Sequence, residues 1–386
     1  MDLAWWQVLI GALVGLVILV ILVVIHELGH AIAAVRNGVK VEEFGIGFPP
    51  LAKKLGKYKG TLITLNWLPL GGFCKLKGES DDAKGKGTFG AASFWSKTKI
   101  LLAGVFMNFL AAVVIFTILA FFGIPQIVPG QFQVSADNSG KRGIVVAHKV
   151  IKNSPADKAG IKSGDEIERI AGSRIMVASQ VSDLTSKYAG KEVKIGVKHQ
   201  DQPYKIIKVK LNDRHNSDKG FLGLQAEQKQ GATIKATWSA PLVGLVNVLQ
   251  FMWLTITSLI GIIGNLFVGF FDLITLRPEA SSNFNAVGES VAGPIGILGN
   301  IFPSAVFAGA TTLLYISGII ALSLTVMNLL PIPGLDGGRW LLIAVYHLLG
   351  KKLTKDKEEK VVGYGMLVLF GLIIVITVAD ILKLFR

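Results

Sequence analysis

Cysteine is almost missing from this chain: Cys74 stands alone in 386 residues. That excludes an intrachain disulfide framework and leaves the redox compartment undecided. Charge is scarce too, at 17% of residues against 51% hydrophobic, which is too little for an ordinary soluble enzyme. Acids are the rarer sign, with 26 Asp+Glu against 40 Lys+Arg. Such an excess can point to nucleic acid, but no basic stretch is interleaved with base-stacking aromatics, so no nucleic-acid partner is expected. In a membrane protein the same excess reflects basic cytoplasmic loops. The start of the chain lacks both a basic leader and a small-residue cleavage site, and is not read as a signal peptide.

Long apolar runs stand where charge is absent. Trp5 to Ile25 is apolar except for Gln7 and contains no proline, and roughly 20 such residues cross a bilayer. The first helix is expected from Trp5 to Arg36, with Asn37-Gly38 as its stop. Residues 36–99 carry twelve Lys/Arg against five Asp/Glu, so the positive-inside rule turns them to the cytoplasm and leaves the N-terminus outside. Ile100 to Ile124 is the second expected span, ended by Pro125 and Pro129, with Asn108 as its one strongly polar residue. From about Gly130 to Gln230 the composition is that of a soluble α/β domain, with alternating strands such as Val193 to Lys198.

Pro241 to Leu276 is long enough to span, but parity opposes it. The segment from Tyr315 must end on the cytoplasmic side to meet the N-terminal motif described below. The loop 351–360, which includes Lys352, holds five lysines on that side, whereas 277–312 has one basic residue, Arg277. The expectation is therefore helices on the outer leaflet or a re-entrant hairpin. Val361 to Leu384 is the last span, placing the C-terminus outside despite Lys383 and Arg386. The chain divides into a first span (1–38), a cytoplasmic-side region (39–99), a second span (100–125) and an extracytoplasmic domain (130–230). An outer-leaflet or re-entrant helical region (240–312), a third span with its following motif (313–340), a basic cytoplasmic loop (341–360) and a fourth span (361–386) complete it. The fold class is a polytopic α-helical membrane protein of about four transmembrane helices with an inserted α/β domain.

Histidine is sparse as well, yet two of the six lie in His26-Glu27-Leu28-Gly29-His30. An accidental match to that pattern is expected in under roughly 1% of such chains. Histidines four apart on a helix share a face, so both rings can reach one metal ion. Glu27 points away from the pair and can reach a water on the metal as general base, the spacing of a zinc hydrolase. With Arg36 at the interface the histidines lie roughly 10–15 Å inside the membrane, at 1.5 Å per residue; with Trp5 and Trp6 anchored instead, they lie nearer the edge.

One more protein ligand is needed. His148, His199 and His215 belong to the outside domain and His347 to the cytoplasmic connector. The better candidate is Asp336, in Asn328-Leu329-Leu330-Pro331-Ile332-Pro333-Gly334-Leu335-Asp336-Gly337-Gly338. Two prolines and three glycines break a helix at membrane depth, which is tolerated where backbone lines a cavity or packs on protein. An aspartate there needs charge compensation, which a zinc ion provides. Asn328 either hydrogen-bonds a substrate carbonyl or glues two helices together.

HELGH near the start and NLLPIPGLDGG near the end together resemble the bacterial site-2 proteases, intramembrane zinc metalloproteases, and the likeness covers essentially the whole chain. The segment from Ser154 to Ile167 resembles a PDZ domain, which either offers a groove for a peptide strand or is a spacer that binds nothing. The resemblance implies one zinc per chain on His26, His30 and Asp336, with Glu27 activating water. It also implies that Leu68 to Lys75, including Gly71 and Gly72, forms the family's membrane-associated β-hairpin. Gly293-Pro294-Ile295-Gly296-Ile297 is similar to the family's GP-containing segment. Gly104-Val105 stands where the family often has Gly-Pro, and is expected to touch no ligand. Thr61 to Leu68 alternates as a strand, and its exposed edge, with Thr64, Leu65 and Asn66, is expected to take up substrate, the alternative being a plain surface hairpin.

The activity so implied is hydrolysis of peptide bonds in single-span membrane proteins, in the bilayer of the cell membrane. It would serve regulated intramembrane proteolysis, as of anti-sigma factors, or clearance of remnant signal peptides. The active site is expected toward the cytoplasmic side. Two other classes remain open: a membrane scaffold with a peptide-binding domain, and a cation transporter. The transporter would show repeated halves and more intramembrane acids, and the chain has neither.

Overall fold

The computed structural model describes residues 3–384 except Pro129, Arg142, 200–202, 214–219, 276–292 and Lys352. Of the residues read above, Pro129, His215, Arg277, Lys352 and Arg386 lie outside the described ones, as does 276–292 of the region 240–312. The chain forms two compact units, one of residues 1–116 with 248–386, the other of 117–247.

Helix α1 runs over Trp5–Arg36, the limits read from the sequence. Its apolar residues carry no proline, and it ends where Gly38 takes a positive φ of 75°. At 1.5 Å per residue it is ~48 Å long, well beyond a hydrocarbon core of about 30 Å. Strands β1 (Val41–Tyr58) and β2 (Thr61–Leu76) follow. Each of residues 43–46 has a partner on both sides: Glu43 meets Lys75 and Leu62, Ile46 meets Gly72 and Leu65. The later part of β1 returns along β2, pairing Lys53 with Leu65 and Lys54 with Thr64.

This register corrects the expected substrate edge. Thr64 lies between Gly45 and Lys54, and Leu65 between Ile46 and Lys53, so residues 62–65 are paired on both sides. Thr64 is buried and donates to Glu43 Oε1 at 2.8 Å, and buried Asn66 donates through Nδ2 to Gly47 O at 3.1 Å. Alternation marks a strand but not its place in a sheet, and here doubling back of β1 fills the edge. The stretch 72–76 pairs, among the described residues, only with 41–46.

Helix α2 (Phe94–Phe122) carries the chain from the first unit into the second. There β3 (Ile124–Pro125) pairs with β10 (Thr233–Ile234). Between them lie β4 (Ile144–Val150), α3 (Pro155–Lys158), β5 (Glu166–Ile170), β6 (Ser173–Arg174) and α4 (Ser179–Lys187). β7 (Glu192–Lys198), β8 (Lys205–Lys210) and β9 (Leu224–Gln230) complete a six-stranded sheet of order β8-β7-β5-β4-β9, with β6 on β5. Ser154 caps α3 by accepting from Asp157 N, with Pro155 at the first helical position. Ala147, Ile161, Ile167, Ile170 and Ile195 form the centre of its core.

Helix α5 (Ala240–Ile274) leads back to the first unit. It is one unbroken helix of 35 residues, and Ala240–Asn265 is long and apolar enough to cross a membrane. A hairpin within 240–274 is therefore not formed. Loop charges constrain the sides that termini occupy, but beyond Pro241 nothing in this stretch breaks the backbone ladder. Helix α6 spans Pro294–Ala308, with a π-helical stretch at Ile297–Ile301, and seats Pro303 and Phe302 on Gly11 and Gly15 of α1. After α7 (Ala310–Leu329) come α8 (Asp336–Leu348) and α9 (Lys355–Leu384).

Among the described residues four helices are long and apolar enough to cross a membrane: α1, α2, the Ala240–Asn265 part of α5, and α7. The expected last span, 361–384, lies within α9. In the first unit Ala34, Val41, Leu76, Phe89, Ile100 and Ile343 share a buried cluster. It gathers the end of α1, the hairpin, the start of α2 and the middle of α8 around one point.

In the second unit the Asp137 carboxylate accepts from Thr237 N (2.8 Å), Ser239 N (3.0 Å) and both hydroxyls. Desolvation raises its pKa, but these hydrogen bonds outweigh it and hold the carboxyl well below the usual carboxylate range. A depressed folded-state pKa stabilises above the unfolded value of 3.8 and is lost as pH falls through the folded one. Asp137→Asn is therefore expected to melt below the wild type at pH 7, with the gap closing as pH drops from about 4 toward 2. Thermal melts of the full chain in detergent across that range check this.

Candidate metal centre

On α1, His26 and His30 lie one turn apart on a shared face. Asp336 sits in the first turn of α8, beyond the Pro331–Leu335 break. Two glycines follow it for a steric reason. A Cβ on Gly337 would lie 2.3 Å from Leu329 O, and one on Gly338 would lie 2.0 Å from Ile332 O. Only bare backbone lets the first turn of α8 fold back against the chain leaving α7. That fold-back brings Asp336 to the histidines.

Asp336 Oδ2 lies 3.0 Å from His26 Nε2 and 3.4 Å from His30 Nε2, and the two Nε2 atoms are 3.1 Å apart. Ligand atoms roughly 2.0–2.1 Å from a tetrahedral zinc are separated by roughly 3.3 Å, so the three atoms already have the spacing of one face of such a site. The donor chemistry fits as well. His30 Nδ1 lies 2.8 Å from Ile100 O, which can only accept, so the proton is on Nδ1 and a lone pair faces the carboxylate. Two imidazoles and a carboxylate converging in a buried pocket are a donor set suited to a divalent cation. His26, His30 and Asp336 are the one such group among the described residues.

Glu27 is half-buried and faces the hairpin. A Cβ on Gly72 would lie 3.5 Å from Glu27 Cγ, and the Cys74 backbone N–H donates to the carboxylate. The strand beside the proposed base is thus 72–76. Gly71 and Gly72 are buried there, while Thr64, Leu65 and Asn66 belong to the neighbouring stretch. Asn328 is half-buried in the last turn of α7.

Helix α2 comes closer than its sequence implies. A Cβ on Gly104 would lie 2.5 Å from His30 Nε2 and 2.7 Å from His26 Nε2, and one on Gly29 would lie 2.4 Å from Ala103 O. The expectation that Gly104-Val105 touches no ligand is therefore wrong: Gly104 lies directly against both. Periodicity places a residue on its own helix but does not say which neighbour it meets.

One turn after Asp336, Arg339 donates to Glu358 Oε1 (2.9 Å), Glu79 Oε1 (3.1 Å) and Glu79 O (2.6 Å). Glu358 Oε2 in turn accepts from Asp81 N at 3.1 Å, and Asp81 pairs with Lys97 of α2. This network ties α8 to α9, to α2 and to the loop after the hairpin, and it borders a cavity of about 580 Å³ that reaches Asp336. A charged residue one turn past Asp336 was the available signal for it.

A family profile described as Peptidase family M50 matches residues 14–372. The chain belongs to peptidase family M50. It is thus a metalloendopeptidase of the site-2 type, and the scaffold and transporter readings fall away. It is 30% identical over 364 residues, 94% of each chain, to a Clostridium acetobutylicum protein named "Putative zinc metalloprotease". It is 24% identical to the zinc metalloprotease RasP of Bacillus licheniformis, over 94% of this chain and 97% of that one. It is equally similar to the regulator of sigma-W protease RasP of Bacillus subtilis, over 94% and 96%.

Two substitutions probe the packing of the site. Asp336→Ala removes a donor, and Gly104→Ala drives a methyl into both imidazoles. Each is expected to leave the purified protein with well under half the wild-type zinc content, read by elemental analysis.

Proposed function

We propose that this M50 peptidase is a zinc enzyme that cuts other membrane proteins within or next to their transmembrane segments. The observation that carries this is the position of His26, Glu27 and His30 on α1, a 32-residue helix apolar enough to span the bilayer. His26 Nε2, His30 Nε2 and one Asp336 oxygen hold the metal, leaving room for water and substrate. A zinc ion bound there supplies Lewis acidity to the water and to the scissile carbonyl. Glu27 takes the proton of the attacking water and returns it to the leaving amine nitrogen. Wedged between α1 and the 72–76 strand, its carboxylate is aimed by the Cys74 N–H.

A substrate helix must unwind first, since its carbonyls are hydrogen-bonded and its side chains crowd the backbone. The 72–76 strand is the better receiver for the extended chain, as an added strand along its outer side brings the scissile bond beside Glu27. Asn328 hydrogen-bonds a substrate backbone carbonyl from the end of α7.

The 117–247 unit is read as the PDZ-like domain, on the extracytoplasmic side. A groove of about 280 Å³ runs between α4 and the start of β9, lined by Val181, Thr185, Phe221, Leu222 and Leu224. β9 is the edge strand of its sheet, so a peptide can add there with side chains toward α4. Its role is a size filter that admits membrane stubs whose outer domain has been removed.

Glu27→Gln is expected to keep wild-type zinc content and to lose cleavage of a single-span reporter by at least about 100-fold, within the range general acid–base groups contribute. Full proteolysis by that variant would falsify the assignment. Deleting 130–230 is expected to let the enzyme cut reporters that retain a folded outer domain. An unchanged substrate range, compared side by side in reconstituted vesicles, would remove the filter role.

A further inference from the structure

Neither histidine can hold a metal through Nε2 unless its proton sits on Nδ1. For His30 the Ile100 carbonyl meets that need. For His26 the only group near Nδ1 among the described hydrogen bonds is the side-chain amide of Asn108, 3.3 Å away. Asn108 is fully buried in α2. The amide end drawn toward His26 is the NH2, while Oδ1 is buried with no hydrogen-bond partner. In that orientation the amide donates to Nδ1, the imidazole proton sits on Nε2, and His26 presents an N–H to Asp336 instead of a lone pair. A half-turn of the amide exchanges two ends of nearly the same shape. Oδ1 then accepts from Nδ1–H, the orphaned acceptor is satisfied, and the Nε2 lone pair points between His30 and Asp336.

We propose that Asn108 is a positioning residue for the metal centre: its side-chain carbonyl accepts the His26 Nδ1 proton and so fixes the tautomer that binds metal through Nε2. Ile100, Gly104 and Asn108 are spaced by four and lie on one face of α2. The first orients His30, the second leaves room for both rings, and the third orients His26. A polar side chain fully buried in an otherwise apolar span costs free energy unless such a partner repays it.

The inference rests on the metal-site reading, and zinc affinity separates the two. The metal-free full-length protein is titrated with zinc against a competing chelator, and its melting temperature is recorded without metal. Failure of the wild type to bind one zinc tightly would remove the site reading itself. Given wild-type binding, Asn108→Leu, which has similar volume and no acceptor, is expected to bind zinc about 10- to 100-fold more weakly, the usual loss for a group that orients a ligating histidine. Asn108→Asp, which keeps an acceptor at the same reach, is expected to stay within about 3-fold of wild type or to bind more tightly. Metal-free melting of Asn108→Leu is expected to match or exceed wild type, which a purely structural role would not allow. Unchanged affinity in Asn108→Leu overturns the proposal, as does an Asn108→Asp variant as weak as Asn108→Leu. Should the leucine variant not fold, Asn108→Ala takes its place with the same expected loss.

Discussion

Three potential ligand atoms face one another in an apolar surround: His26 Nε2, His30 Nε2 and an Asp336 oxygen, within 3.0 to 3.4 Å. A cation seated among them makes that convergence a binding site. The surrounding structure follows from the need to hold that arrangement. The histidines come from a regular helix and share a face at no cost in backbone conformation. The aspartate comes from a helix restarted after a break, where proline ends one ladder and two glycines let the next begin against it. Arg339, one turn on, ties that restarted helix to three other elements through Glu79 and Glu358. Its charge is offset by carboxylates, and its guanidinium is shared among several acceptors, the geometry to which arginine is suited.

The second helix acts as the floor of the site. Its contribution lies in what it lacks at Gly104 as much as in what it presents at Ile100 and Asn108. Removing a side chain where two imidazoles converge lets the backbone come close enough for a carbonyl to reach His30. Glu27, directed to the other side of α1, meets the hairpin, so it and the two histidines face different walls. The ligand atoms are thus held between packed helices, while Glu27 faces a strand that pairs, among the described residues, only with 41–46.

Much of the site is legible in the chain itself. The HExxH spacing determines that both imidazoles share a helix face, and the proline–glycine break around Asp336 marks a charged residue at depth as purposeful. Sequence alone also marks three of the four helices that, among the described residues, are long and apolar enough to cross a membrane, because length and apolar content are local properties. At 240–274 the hairpin it allows gives way to one unbroken helix, because nothing in that stretch makes the backbone turn. It also expects an open strand edge on 61–68, where residues 62–65 are paired on both sides.

The local chemistry of this protein, then, is written in the chain: which residues can bind a metal, which can take a proton, and which runs prefer lipid. What only the tertiary structure decided is adjacency. Helical and strand periods assign a residue to a face of its own element, but they carry no information on the neighbour rotated against that face. The strand beside Glu27 is therefore 72–76 and not 61–66. For the same reason Asn108, conspicuous as a lone polar residue in an apolar helix, acquired a partner only when α2 was laid against α1.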